Sequence, residues 1–485
     1  MATDPGLRRL ALRTLLAAFP GTEAPEWAAA LLAEGLAGHT LFGTNIADPA
    51  QVGRLTAELR TVRRDALIAI DEEGGDVTRM AHRVGSPYPG NAALGTVDDP
   101  DLTRAVYAAI GADLVAAGIN LDLAPTVDVN TAADNPIIGT RSFGAAPLRV
   151  ARHAAAAIEG LQSTGVAACA KHFPGHGATL TDSHLALPTV DADRTVLRER
   201  DLPPFAAAVA AGTRAIMTAH IRVPALTGAG PATFSHAVLT DLLRGEYGFR
   251  GAVITDALEM KGATLAAGGI GAAAVLALAA GADLLCIGAR VSLELVEQVA
   301  AEIIAGVGDG RLALSRLEEA AERTAALAAW TQRPVPPRQH DAGLGYAAAR
   351  RAVRVEGSLL ELAGPLVVQL ESGHSIAEGR VPWGLKPHLN GTELVSVVAA
   401  DTSPATLAEQ AGSRPIVVVG RHTHRAAATR TLIETLAARH TVAVVEMGWP
   451  ADWRPAGARA FVTTYGASHA NGRAAAEALG LAAPN

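Results

Sequence analysis

The feature that most constrains this chain is a run of short apolar segments, several of which end on a charged or imidazole side chain. The segments are LLAAF (15–19), HTLFG (39–43), ALIAID (66–71), INLDLAP (119–125), VAACAKH (166–172), AIMTAH (215–220), AVITD (252–256) and DLLCIG (283–288). Their length suits strands, and their lack of polar alternation marks strands covered on both faces, as in a parallel sheet. Alanine-rich helical stretches such as DLTRAVYAAIGADLVAAG and PLRVARHAAAAIEGLQSTG separate them. Eight β-then-α units in succession predict a TIM-like (β/α)8 barrel. Asp71, Lys171, His172, His220 and Asp256 all fall at the C-terminal ends of these runs. In a barrel those ends share one mouth, where active sites are built.

The stretch TQRPVPPRQHDAGLGY (331–346) carries three prolines and loses the pattern, so it reads as a linker after a catalytic barrel of residues 1–330. The pattern then restarts with GPLVVQLE, ELVSVVAAD, RPIVVVGRHTH, HTVAVVEMGWP and RAFVTTYG. Five strands spaced by helices predict a smaller α/β sandwich domain over 347–485. A length of 485 residues fits more than one hydrophobic core. The fold class expected is therefore α/β.

Composition narrows the partners. Forty-one basic against 48 acidic residues give a formal charge of −7 with no basic cluster, which argues against nucleic acid. Cys169 and Cys286 sit inside apolar runs, form no zinc-binding spacing, and read as buried thiols of a reducing compartment. The N-terminal LRRLALRTLLAAF is interrupted by Arg13 and lacks a following cleavage site. No segment reaches the ~20 apolar residues of a membrane span. The expectation is a soluble, cytoplasmic protein with no membrane partner. Oligomeric state is not legible.

Chemistry concentrates in 171-KHFPGHGATLTDSHLALP-188. Asp182 and His184 are one residue apart, a spacing that lets a carboxylate orient an imidazole for general acid/base work in an extended or turn segment. The same pair also fits an ordinary exposed loop. His172 and His176 are four apart, but Pro174 and Gly175 between them preclude a helical metal pair, and neither metal nor cofactor is expected. Lys171 and His172 read as hydrogen-bond donors to a polyhydroxylated ligand. Asp256, in GAVITDALEMKG, reads equally as a nucleophile or base at a barrel mouth and as the N-cap of a following helix. In DEEGGDVTRM, Asp71 ends a strand, Gly74 and Gly75 allow a tight turn, and Arg79 is either a substrate ligand or a loop brace. Arg141 lies in the loop IIGTRSFG (137–144).

Taken together, KHFPGHG…DSH, DEEGG…R, IIGTRSFG, PATFS (231–235) and VITDALEM resemble the bacterial β-N-acetylglucosaminidases of glycoside hydrolase family 3, in that family's order, over roughly residues 15–330. The closing TTYGASHANGRAAAEALG is similar to the end of the family's two-domain form. The resemblance implies Asp256 as nucleophile, His184 as general acid/base and Asp182 as its partner. It implies Asp71, Arg79, Arg141, Lys171 and His172 as sugar-binding residues, and a small carbohydrate substrate. The implied reaction is retaining hydrolysis of terminal β-linked N-acetylglucosamine from peptidoglycan-derived muropeptides or chitooligosaccharides, through a glycosyl-aspartate. A histidine acid/base leaves no anionic carboxylate to repel phosphate, so a β-N-acetylglucosaminide phosphorylase is the alternative. Another β-glycosidase specificity is disfavoured by KHFPGHG…DSH, and a non-catalytic sugar-binding protein by the presence of every catalytic candidate. Ala178 departs from the family, which often has Asp there. No catalytic residue is assigned to the second domain.

Overall fold

The computed structural model describes residues 4–336 and 339–482. Its first unit contains residues up to Glu72, Pro100–Ile138 and Ala145–His340. Here eight strands are paired in parallel: β1 (Leu15–Ala17), β2 (Gly38–Leu41), β3 (Leu67–Ile70), β4 (Leu121–Asp122), β5 (Ala167–Phe173), β6 (Ala215–Thr218), β7 (Ala252–Thr255) and β8 (Leu285–Cys286). Each falls on a run picked out from the sequence, with β2 beginning one residue before its run at Gly38 and β5 ending one residue after its run at Phe173. Neighbours follow chain order from β1 to β7, β8 returns to pair with β1, and a parallel bridge between Ile254 and Leu284 closes the ring. The expected (β/α)8 barrel is what the chain forms.

Side-chain chemistry explains why some strands are short. Asn120 adds its side-chain amide to the backbone pairing, accepting from the Ile68 N–H at 2.7 Å and donating to the Ala66 carbonyl at 3.0 Å. Pro125 follows without an N–H to give, so β4 is two residues long. The interior is filled by small and medium side chains, among them Ala69, Ala167, Cys169, Ala215, Met217, Ile254 and Cys286. Both thiols are buried there, as the apolar flanks predict. Gly38 is required by close approach, because a Cβ on it would stand 1.8 Å from the Leu67 carbonyl oxygen on β3.

At the opposite end from the strand C-termini, Asp283 precedes β8 with no solvent exposure. It takes hydrogen bonds from Arg244, Arg316 and Arg323 and from the Val253 N–H. Arg316 and Arg323 lie on the helix Leu314–Thr331, so this carboxylate fastens the last helix to the ring.

The second unit contains Glu73–Asp99, Gly139–Gly144 and the chain from Asp341 onward. Its sheet has six strands: β9 (Arg354–Gly357), β10 (Leu366–Leu370), β11 (Leu394–Val397), β12 (Ile416–Gly420), β13 (Val442–Glu446) and β14 (Ala460–Thr463). Their order is β11-β10-β12-β13-β14-β9, parallel except for β9, which runs antiparallel on β14. The sequence predicts five of these. β9, read from RVEG, was invisible because it is an edge strand whose four residues are all exposed, so no apolar alternation marks it.

The domain boundaries drawn from the sequence need correction. Helix Leu314–Thr331 runs into the predicted linker. His340 bonds Asp113 of the first unit at 2.9 Å, so the proline-rich stretch belongs with the barrel. Pro337 and Arg338 lie outside the described residues, as do 1–3 and 483–485 at the ends of the two predicted domains. The helix Leu344–Ala352 already belongs to the second unit, with Gly345 seated against the Pro87 carbonyl. Residues 73–99 and 139–144, assigned by position to the barrel, also belong to the second unit. The cause is polar: buried Asp76 accepts from the Ala467 N–H at 2.7 Å, the Thr140 hydroxyl at 2.6 Å and Arg421 at 3.4 Å. Arg79 donates to the carbonyls of Ala377 at 2.7 Å and Glu378 at 3.3 Å. Arg421 follows β12 and Ala377 lies in the loop after β10. Strand order reverses between those two strands, and parallel sheets hold ligands at such a crevice. Here the chain's own Asp76–Arg79 stretch fills it.

Asp283→Asn is expected to destabilise the protein by about 3 kcal/mol, because it leaves a buried arginine without its counter-charge. A lowered denaturation midpoint, followed by far-ultraviolet circular dichroism, checks this.

Candidate active site

The mouth residues are set by how β4 and β5 end. β5 carries Lys171, whose buried ammonium bonds the Asp71 carboxylate beyond β3 at 2.7 Å. After β4 comes 126-TVDVN-130, in which Asp128 is fully buried. It accepts from His172 Nδ1 at 2.7 Å, the His172 N–H at 3.3 Å and the His176 N–H at 2.7 Å. Burial pushes its pKa up, but the imidazoles and donated bonds outweigh this and hold it below the usual carboxylate value. As an ionised acceptor, Asp128 fixes the proton of His172 on Nδ1. Gly177 has no room for a side chain, since a Cβ would lie 1.9 Å from the Val129 carbonyl oxygen. The GHG of the motif is thus pressed against the β4 loop.

The segment beyond holds the predicted acid/base pair. Asp182 accepts both the His184 N–H at 2.8 Å and His184 Nδ1 at 2.7 Å through one oxygen. Burial raises the Asp182 pKa, and the His184 hydrogen bonds lower it by more. An ionised carboxylate can only accept, so Nδ1 bears hydrogen and Nε2 is the nitrogen for proton exchange. The loop is not detached: the Ser183 carbonyl accepts from the Gly262 N–H at 3.1 Å and the His184 carbonyl from the Lys261 N–H at 3.4 Å. Lys261 and Gly262 lie just beyond β7, the strand that leads into Asp256.

Asp256 is half-buried and accepts from the Ala257 N–H at 2.8 Å. Burial alone would raise its pKa; the imidazoles of His172, His220 and His184 and the Ala257 N–H bring it down to about 2. It is therefore a carboxylate at neutral pH. The helix-cap reading does not hold, because the next helix begins at Lys261 with Met260 at its cap. His220 is fully buried, which lowers its pKa and keeps it neutral. It donates from Nε2 to the Ala257 carbonyl at 3.1 Å and meets Thr233 Oγ1 at 2.8 Å through Nδ1. It thus supports the backbone immediately after the carboxylate.

The mouth thus presents a half-buried, ionised aspartate after β7 and an aspartate-oriented histidine in the segment after β5. Residues 13–327 match the glycosyl hydrolase family 3 N terminal domain. The chain belongs to glycosyl hydrolase family 3. The solved structure of a glycoside hydrolase family 3 beta-N-acetylglucosaminidase from Paenibacillus sp. str. FPU-7 superposes with a TM-score of 0.88 at 34% identity, covering 98% of this chain and 97% of that one. A beta-hexosaminidase of Neisseria meningitidis serogroup C is 37% identical over 59% of this chain and 80% of its own length. Beta-hexosaminidase A of Pseudoalteromonas piscicida is 38% identical, but the match covers 49% of this chain and only 43% of that protein.

Within this family 3 chain, the first unit brings together Asp71, Lys171, His172, Asp182, His184 and Asp256. Arg79 and Arg141 belong instead to the second unit. Arg141 is buried and bidentate to Glu73, at 2.9 Å and 2.8 Å. Arg79 reaches the carbonyls described above. Sequence reasoning missed Asp128 and the roles of His176, His220 and Thr233. The strand-end rule that found Asp71 and Asp256 extends to Asp128, three residues beyond the LDLAP run, and Thr233 is the centre of PATFS. Among the described residues, no group of three or more His, Cys, Asp or Glu side chains is placed to hold a metal ion.

Asp128→Asn should cost turnover of an aryl glycoside about 10- to 100-fold, the equivalent of one charge-assisted hydrogen bond lost from a buried network. Steady-state kcat/KM checks it, with an unchanged value counting against the assigned role.

Proposed function

We propose that the chain is a retaining β-N-acetylhexosaminidase that works through a glycosyl-aspartate on Asp256, with His184 as acid/base. One observation carries the reading: the loops bearing Asp256 and His184 are hydrogen-bonded to each other, and their side chains are an ionised carboxylate and a carboxylate-oriented imidazole. In the first step an Asp256 oxygen bonds the anomeric carbon while His184 Nε2 gives its proton to the departing oxygen. In the second, Nε2 takes a proton from water, whose oxygen displaces Asp256. Two inversions leave the configuration retained. Where both groups are carboxyls they stand ~5–5.5 Å apart. A histidine can reach across a longer gap, and the Asp182 carboxylate stabilises the imidazolium that the first step requires.

Lys171, His172 and Asp71 supply the hydrogen-bonding groups for the hydroxyls of the terminal sugar. The names of the relatives support N-acetylglucosamine as that sugar. The substrates proposed are β-N-acetylglucosaminyl ends of muropeptides or chitooligosaccharides, handled in the cytoplasm.

The test is release of p-nitrophenol from its β-N-acetylglucosaminide, with and without phosphate, identifying the sugar formed. Free N-acetylglucosamine in both buffers is the expected result. Sugar 1-phosphate with faster turnover in phosphate would assign the second step to phosphorolysis on the same nucleophile. Asp256→Ala should lose on the order of 10⁴-fold or more in kcat, the scale seen when a nucleophile is deleted; full activity in that variant would end the mechanism.

A further inference from the structure

Two apolar side chains of the segment between Pro174 and Pro188 face outward while a polar one faces inward. Leu180 and Leu185 are 71% and 58% exposed, while Ser183, next to the proposed acid/base, is 2% exposed. A buried serine hydroxyl needs a partner, and it has one. Its hydroxyl lies 3.0 Å from Nε2 of His176, itself 2% exposed. The other ring nitrogen, Nδ1, lies 2.7 Å from Thr179 Oγ1.

The direction of each bond follows from counting hydrogens. Thr179 gives its single hydroxyl hydrogen to the His176 carbonyl at 3.0 Å, so towards Nδ1 it accepts. Nδ1 therefore carries the ring hydrogen. Burial lowers the His176 pKa to about 4, so the ring is neutral at working pH and Nε2 is an acceptor. Ser183 then donates to it. The backbone of the same serine is held from the other side, its carbonyl accepting from Gly262 N–H. His176 is in turn anchored through its own N–H to Asp128 at 2.7 Å. A continuous chain of bonds thus runs from the buried Asp128 through His176 and Ser183 to the residue adjoining His184.

We infer that His176 and Ser183 are positioning residues for the acid/base: the Ser183 hydroxyl on His176 Nε2 latches the loop so that His184 faces the leaving oxygen. The inference rests on the reading of His184 as the acid. It also gives His176 a function that its metal-like spacing from His172 does not.

The experiment compares wild type, Ser183→Ala, His176→Phe and His184→Ala on two substrates. One, N,N′-diacetylchitobiose, has a leaving group that must be protonated. The other, 2,4-dinitrophenyl β-N-acetylglucosaminide, has one that leaves unaided. The parameter is kcat/KM, which reports steps through glycosyl transfer to the enzyme. His184→Ala is expected to lose about 100-fold on the disaccharide. Ser183→Ala and His176→Phe are expected to lose about tenfold on it, the worth of one buried hydrogen bond. Ser183→Ala and His176→Phe should stay within about twofold on the dinitrophenyl glycoside, which needs no acid, and His184→Ala should lose far less on it than on the disaccharide. Equal losses of Ser183→Ala on both substrates, or none on either, overturn the latch while a leaving-group-dependent His184→Ala leaves the acid intact. A flat response of His184→Ala overturns the acid and the latch together. Should His176→Phe fold poorly, Ser183→Ala decides alone, since it removes one small oxygen and leaves both backbone bonds in place.

Discussion

The site hangs on one carboxylate. Asp128 is buried in the β4 loop and receives three N–H groups, from the amide and ring of His172 and the amide of His176. An unpaired charge there would be prohibitive, so the donors are obligatory, and they lock the end of β5 into one conformation. Everything downstream depends on that conformation. It sets the proton on His172, the direction of Lys171 towards Asp71, and the starting point of the loop that carries Asp182 and His184. The glycines of the motif serve the same end. Gly177 lets the chain lie against the β4 loop, and Gly175, at φ +127°, makes the turn that only glycine adopts readily.

The mouth puts burial to opposite uses. Asp256 loses hydration, yet the imidazoles of His172, His220 and His184 and an adjacent amide keep it ionised. His176 and His220 lose hydration without sufficient compensation and stay neutral, which suits ring nitrogens that act as fixed acceptors and donors. His184, bonded to Asp182, lies nearer the surface than either.

Much of this was legible in the chain because the barrel's chemistry lies where its strands end. All eight strands coincide with the apolar runs to within a residue, and Asp71, Lys171, His172 and Asp256 were singled out by their place at strand ends. Asp182 and His184 were found by spacing, and their hydrogen bonds are local enough for spacing to capture. What the sequence concealed was long-range or polar. β9 is a short exposed edge strand with no apolar signal. The pairing of Asp128 with His172 spans 44 residues. Arg79 and Arg141 stand in barrel-derived motifs, but their partners, the carbonyls near Ala377 and the Glu73 carboxylate, are set by packing that no local pattern encodes. The linker was misjudged because proline erased helical periodicity while the chain still ran along the barrel.

The interleaving of the two units has a consequence for the order of synthesis. The chain passes between them five times, at residues 72/73, 99/100, 138/139, 144/145 and 340/341. Segment 73–99 leaves the ribosome early, but Asp76 waits for Arg421 and Ala467, and Arg79 for Ala377 and Glu378. The second unit therefore cannot form piece by piece as the chain emerges, since its two early segments find their partners only once its C-terminal sheet is made.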